Sequence, residues 1–135
     1  MDEKVIQYYR KITREGYQYS GSLEDPSIFI DSAGEKIPLC SKSVDAYVHI
    51  YVKIREEIID DARYLCTCKP TANVVAEIFC SLIIGKSIKE IENLNEQAFA
   101  NSLGTSDEEY LEASGNIIKL LHSGLDKYKP QTESP

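Results

Sequence analysis

No long apolar run exists in this sequence. The longest, Ile78 to Ile84, is interrupted by Cys80 and Ser81 and falls far short of the roughly 20 residues that a membrane-spanning helix needs. Histidine is scarce, with 2 in 135 residues. No phosphate-cradling glycine loop and no nucleophile–base pair can be picked out, so an enzyme is not expected. Positive charge is also short: 15 Lys and Arg against 22 Asp and Glu leave a net charge of −7. With no row of cations to neutralise phosphates, a general nucleic-acid binder is excluded. The opening Met1-Asp2-Glu3-Lys4 is acidic and leads straight into an amphipathic pattern, unlike a signal peptide. No repeat is visible. Low complexity is confined to Lys129–Pro135, and residues 130–135 are expected to be a disordered tail.

What is present is ordinary globular material, 42% hydrophobic and 27% charged, in a chain long enough to bury one core. A single domain over residues 1–129 is expected. Nothing points to export, so the four cysteines are expected to stay reduced in the cytoplasm.

Residues 3–15 read as a helix, with Val5, Tyr8, Tyr9 and Ile12 at helical spacing and Gly16 as the stop. A Ser, Gly, Asp and Pro-rich connection follows over 17–36, with an apolar island at Ile28-Phe29-Ile30 that suits a short strand or an anchor. From Val44 to Ile54 the even positions are all apolar and the odd ones are Asp45, Tyr47, His49, Tyr51 and Lys53. Such period-two alternation predicts a strand with one buried face. Arg55-Glu56-Glu57 reads as a turn and Ile58 to Cys68 as the returning strand of an antiparallel hairpin. Helices are then expected over Thr71–Ile84, from the Ser87 cap with Glu90 three residues on, over Glu96–Leu103, and from a Thr105 or Ser106 cap onward. The last carries an apolar stripe of Leu111, Ile117, Ile118, Leu121 and Leu125. The expected fold class is α+β: a small antiparallel sheet of about three strands with helices packed on one face.

The chemistry concentrates at Tyr64-Leu65-Cys66-Thr67-Cys68-Lys69-Pro70-Thr71-Ala72-Asn73. A thiol just before a helix start sits in positive partial charge, which favours the thiolate, the form that binds metals and accepts sulfur. Cys40 precedes the first strand of the hairpin and Cys66 and Cys68 end the second, so all three lie at one end of it. Cys66 and Cys68, two apart on a strand, share a face. Cys80 lies among Ile78, Phe79, Leu82 and Ile83 and reads as a small apolar core residue. His49, flanked by Tyr47 and Tyr51, reads as part of a sheet surface covered by a loop or partner, and His122 as structural. Lys69 suits either a thiolate neighbour or a solvated charge. The acid run Asp107 to Glu109 reads as helix-start electrostatics.

The order of these segments resembles the scaffold proteins of iron–sulfur cluster assembly, the NifU N-terminal domain and IscU, whose fold is shared with the sulfur acceptor SufE. The resemblance is carried by Pro38-Leu39-Cys40 before the alternating strand and by Ile58-Ile59-Asp60-Asp61-Ala62-Arg63-Tyr64. It continues through the cysteine-bearing strand end, Gly85-Lys86-Ser87-Ile88-Lys89-Glu90-Ile91 and Leu125-Asp126-Lys127-Tyr128-Lys129. It implies a scaffold or carrier that holds a transient iron–sulfur cluster, or zinc as another metal, on cysteine thiolates, with a cysteine desulfurase and recipient apo-proteins as partners.

In that family three cysteines and an aspartate hold the cluster. The first cysteine matches Cys40, and the second matches Cys68 with a one-residue slip. The aspartate falls on Lys42, and the third cysteine falls near Tyr110. Cys66 is outside the usual pattern and completes a candidate set of Cys40, Cys66 and Cys68, with Asp107, Glu109 or a water as a further ligand. Two other functions fit the same resemblance. One is a SufE-like persulfide acceptor acting through Cys68. The other is a non-catalytic relative holding structural zinc or no metal.

Overall fold

The computed structural model describes residues 2–32, 48–66 and 70–133, with side chains through Tyr128. Helix α1, Glu3–Glu15, begins where the Asp2 carboxylate accepts from the N–H groups of Lys4 and Val5. It ends at Gly16, whose φ of 101° lies outside the range other residues favour. The apolar island is a strand, β1 (Ile28–Asp31), antiparallel to β2 (Val48–Arg55) with Ile28 opposite Val52 and Ile30 opposite Ile50. The alternation in β2 is observed as expected: Val48, Ile50, Val52 and Ile54 are buried, and His49, Tyr51 and Lys53 are half-buried. Residues 44–47, also read as strand, lie outside the described residues.

The turn is narrower than expected. Arg55 stays in β2, and Glu56 and Glu57 alone reverse the chain, both at positive φ (54° and 65°). A two-residue hairpin needs that conformation to match strand twist, although Asn and Gly adopt it more readily than Glu. Strand β3 runs Ile58–Cys66 and gives the sheet order β1-β2-β3. Its expected continuation to Cys68 falls on residues outside the description.

Four helices follow in the described residues: α2 (Pro70–Ile83), α3 (Ile88–Glu92), α4 (Glu96–Leu103) and α5 (Glu108–Glu133). Pro70 occupies the first turn, where its missing N–H breaks no bond. The capping box at Ser87 and Glu90 forms as the sequence predicts, and Asn95 and Gly104 bound α4. The cap of α5 is Asp107, not Thr105 or Ser106. Its Oδ2 accepts from Tyr110 N–H at 3.0 Å, while Thr105 Oγ1 holds the Asp107 N–H at 3.2 Å one step earlier. A carboxylate is the stronger acceptor at a positive helix end. The helix also runs on through Pro130 to Glu133, where a disordered tail was expected. A proline there has no N–H to donate, so it removes one hydrogen bond without ending the helix.

The even face of the sheet is covered. Helix α2 packs on β3, α1 and α5, and α5 packs on β1. Ile117, Ile118, Leu121 and Leu125 of the expected stripe are buried, joined by Tyr110 and Leu120, while Leu111 is half-buried. Gly124 permits the closest approach: a Cβ there would stand 2.8 Å from Ile28 Cγ2 and 2.9 Å from Ile30 Cδ1. Among the described residues no helix covers the odd face, where Phe29 is 51% exposed and its ring lies 5.2 Å from those of His49 and Tyr51. The result is a three-stranded antiparallel sheet with helices on one face. Among the described residues, no helix is long and apolar enough to cross a membrane.

Candidate functional site

Strand β3 delivers Cys66 to the end of the sheet, directly opposite Val48 at the start of β2. Pairing places Cys66 on the covered side, and it is half-buried against the core. Its Sγ lies 3.6 Å from Oδ1 of Asn73 in the first turn of α2. Cys66 is disulfide-bonded, to a partner outside the described residues, so this approach is a polar contact and involves no thiol proton. A disulfide requires the two Cα atoms within about 7 Å. Cys66 therefore stands within reach of a second cysteine, and the expectation of four reduced thiols does not hold for it.

Cys40 and Cys68, the other expected ligands, lie outside the described residues, as do Lys42 and Lys69. Cys80 is free and fully buried. Burial pushes its thiol well above the usual range, and the nearby Glu77 carboxylate adds to that. It is a core residue, as its apolar neighbours predicted. Tyr110, at the place of the missing family cysteine, is fully buried and donates its hydroxyl to Phe99 O at 2.7 Å. Burial raises its pKa. Asp107 caps α5, and Glu109 is exposed in the first turn. Among the described residues no three His, Cys, Asp or Glu side chains gather closely enough to hold a metal ion.

Two residues shape this end of the molecule: Asn73, which closes the cysteine-bearing stretch but has no role assigned from sequence, and Glu77, which the sequence does not single out. Asn73 is the polar neighbour of Cys66. Glu77, one turn further along α2 and only 2% exposed, accepts from Gln18 N–H at 3.1 Å and Tyr19 N–H at 3.0 Å. Tyr19 O in turn accepts from Tyr64 N–H, and Gly21 N–H donates to Tyr64 O. The buried carboxylate thus fastens the 18–21 segment along the outer edge of β3, two residues before Cys66. Tyr64 Oη is buried with no hydrogen-bond partner among the described residues, and burial, followed by the Glu77 charge, raises its pKa. A signal was available: Glu77 is the one charge in the apolar stretch Val74-Val75-Ala76-Glu77-Ile78-Phe79, and a buried charge needs partners.

His49 Nε2 lies 3.5 Å from Asp31 Oδ1 on the open face, away from the Cys66 side. His122 Nε2–H donates to Ile91 O at 3.1 Å, a structural role as expected.

The family described as the NifU-like N terminal domain matches residues 3–134. The chain belongs to that family. Among solved structures, this NifU-like chain is similar to the N-terminal part of a nitrogen-fixing NifU-like protein from Brucella abortus. The two are 12% identical with a TM-score of 0.64, over 96% of this chain and 94% of that one. It is also similar to a SufU protein from Fervidobacterium islandicum AW-1, assigned there to iron–sulfur cluster assembly in the SUF system. That pair is 14% identical with a TM-score of 0.62, over 93% of this chain and 96% of that one. No curated protein sequence matches. At such identities the shared property is the fold, including the helix-backed three-stranded sheet.

Proposed function

We propose that this NifU-like chain is an iron–sulfur cluster assembly scaffold or carrier. It receives iron and sulfide as cargo on the thiolates of Cys40, Cys66 and Cys68 and passes the assembled cluster to an apo-protein. The observation that carries this reading is the family match, which spans nearly the whole chain. The geometry supports it at Cys66, a strand-end sulfur beside the first turn of α2 and within bonding reach of a second cysteine. Thiolate is the ligand form, so Cys66 binds cargo only after its disulfide is reduced. A site with few protein ligands suits cargo that must leave again. In this reading the chain is not an enzyme and works in a reducing, cytoplasmic compartment. A cysteine desulfurase supplies the sulfur as a persulfide, which a two-electron donor reduces to sulfide.

The test is anaerobic reconstitution of the reduced full chain with ferrous iron and sulfide, followed by visible absorption and metal analysis. The expected result is a chromophore that Cys40→Ala, Cys66→Ala and Cys68→Ala each diminish and Cys80→Ala leaves intact. Absence of a chromophore would sink the reading. A single-sulfur mass gain on Cys68 alone would replace it with a persulfide acceptor, and stoichiometric zinc resistant to chelation with a structural site.

A further inference from the structure

The Glu77 carboxylate is buried without a counter-charge. Each of its oxygens accepts one backbone N–H, from Gln18 and from Tyr19, and each keeps a further lone pair. Two amide dipoles do not cancel a full negative charge, and buried charges are ordinarily paired. Among the described residues no cationic side chain forms an ion pair with Glu77. Arg63, which reaches the same segment, donates to Gln18 O at 2.9 Å and to Asp61 Oδ2 at 3.4 Å instead. The Tyr64 hydroxyl, buried in the field of the same carboxylate, has no hydrogen-bond partner among the described residues.

Glu77 lines a cavity of about 410 Å³, together with Tyr8, Lys11, Ile12 and Glu15 of α1 and Tyr17 of the segment that follows. That volume falls in the range of sites that enclose a small molecule. Tyr8 is half-buried, and burial followed by the Glu77 charge raises its pKa, so its phenol stands in the field of the carboxylate. Lys11 Nζ lies 5.8 Å from the centroid of the Tyr8 ring, which shows that this ring can be approached by a cation. Tyr17 adds a second ring, 38% exposed. Two carboxylates thus stand against one ammonium in the lining. Lys11 and Glu15 are exposed and Glu77 is not, so the uncompensated charge is the buried one.

We infer that this cavity binds a small organic monocation with a guanidinium head, paired with Glu77 and stacked against Tyr8 and Tyr17. The spare lone pairs on the two carboxylate oxygens suit the parallel N–H groups of a guanidinium fork. Its planar face stacks on tyrosine, and a short apolar stem has Ile12 to lie against. A hydrated divalent cation is a poorer match, since it takes six or more oxygen ligands. Among the described residues no cluster of His, Cys, Asp or Glu supplies them. An anion would face both carboxylates. The site uses none of the cysteines, so it stands or falls apart from the cluster reading.

Titration of the full chain with butylguanidinium chloride, followed by amide chemical shifts, tests this. The Gln18 and Tyr19 amide signals are expected to shift and saturate with a Kd of about 1 mM. Butylurea, of similar shape but uncharged, should leave them unmoved at the same concentrations. Glu77→Gln should weaken binding at least about tenfold, and Tyr17→Leu about threefold. Lys11→Met removes the competing cation and should tighten binding about threefold. If circular dichroism shows Glu77→Gln unfolded, Tyr17→Leu and Lys11→Met decide the matter. No saturable shift, equal binding of butylurea, or unchanged affinity in folded Glu77→Gln would overturn the inference. So would unchanged affinity in both of the other variants.

Discussion

Cys66 and Cys80 are the same side chain in two settings, one at the end of β3 and one inside α2. Cys66 is half-buried, touches the amide of Asn73 and has bonded to another cysteine. Cys80 is fully buried among Ile78, Phe79 and Ile83, and its thiol proton is held far more tightly than usual. The difference comes from solvent access and neighbours, since thiolate is favoured only where its charge is solvated or opposed. A strand end beside a helix start permits chemistry. A helix interior forbids it.

The largest effect expected of this contrast is on stability. In reductant, Cys80→Asp should cost at least about 3 kcal/mol or prevent folding, because it leaves an unpaired charge in the core. Cys66→Asp should stay within about 1 kcal/mol. Urea unfolding measures both, and similar losses would break the comparison. Next comes Glu77→Ala. Removing the carboxylate strips the acceptor from the Gln18 and Tyr19 N–H groups and should cost roughly 2–4 kcal/mol. Hydrogen exchange should show both amides losing protection, along with the β3 edge near Cys66.

A smaller effect is expected in alkali. The folded state holds the Cys80 proton above its unfolded pKa, so its contribution is complete below about pH 8.5, the ordinary thiol value. Above that pH the unfolded chain deprotonates first, and stability should fall by up to about 1.4 kcal/mol per pH unit. Tyr64 and Tyr110, also raised, should steepen the fall above about pH 10. Cys80→Ala should flatten the profile between those two points in reductant, and an unchanged slope would show that Cys80 is not held protonated. Smallest is Asn73→Ala. Stability should change by less than about 0.5 kcal/mol, while the alkylation rate of reduced Cys66 rises, because Asn73 Oδ1 no longer accepts from its thiol, and Cys80 stays protected until unfolding.

Most of the fold was legible because its signals are local. The alternation from Val48 to Ile54 reports one buried face, the Ser87–Glu90 box reports a helix start, and Gly16 and Gly104 report helix ends. The misreadings were contests between near neighbours. Thr105, Ser106 and Asp107 all carry capping oxygens, and only the path of the chain selects Asp107. Tyr110 stands near a place where the family carries a ligand. Its burial and its bond to Phe99 O are long-range facts. Of the candidate site, the sequence singled out Cys40, Cys66 and Cys68, and the described structure contains only Cys66 of the three.

By itself, then, the sequence determined the order of elements, the buried face of β2, the family likeness and the core character of Cys80, because periodicity, caps and apolar neighbours act over a few residues. Tertiary structure alone decided that Glu77 anchors the segment edging β3 and that Asn73 faces Cys66. It alone set Gly124 against Ile28 and Ile30. Those relations join residues far apart in the chain, and only the packing of helices on the sheet brings them within a few ångströms.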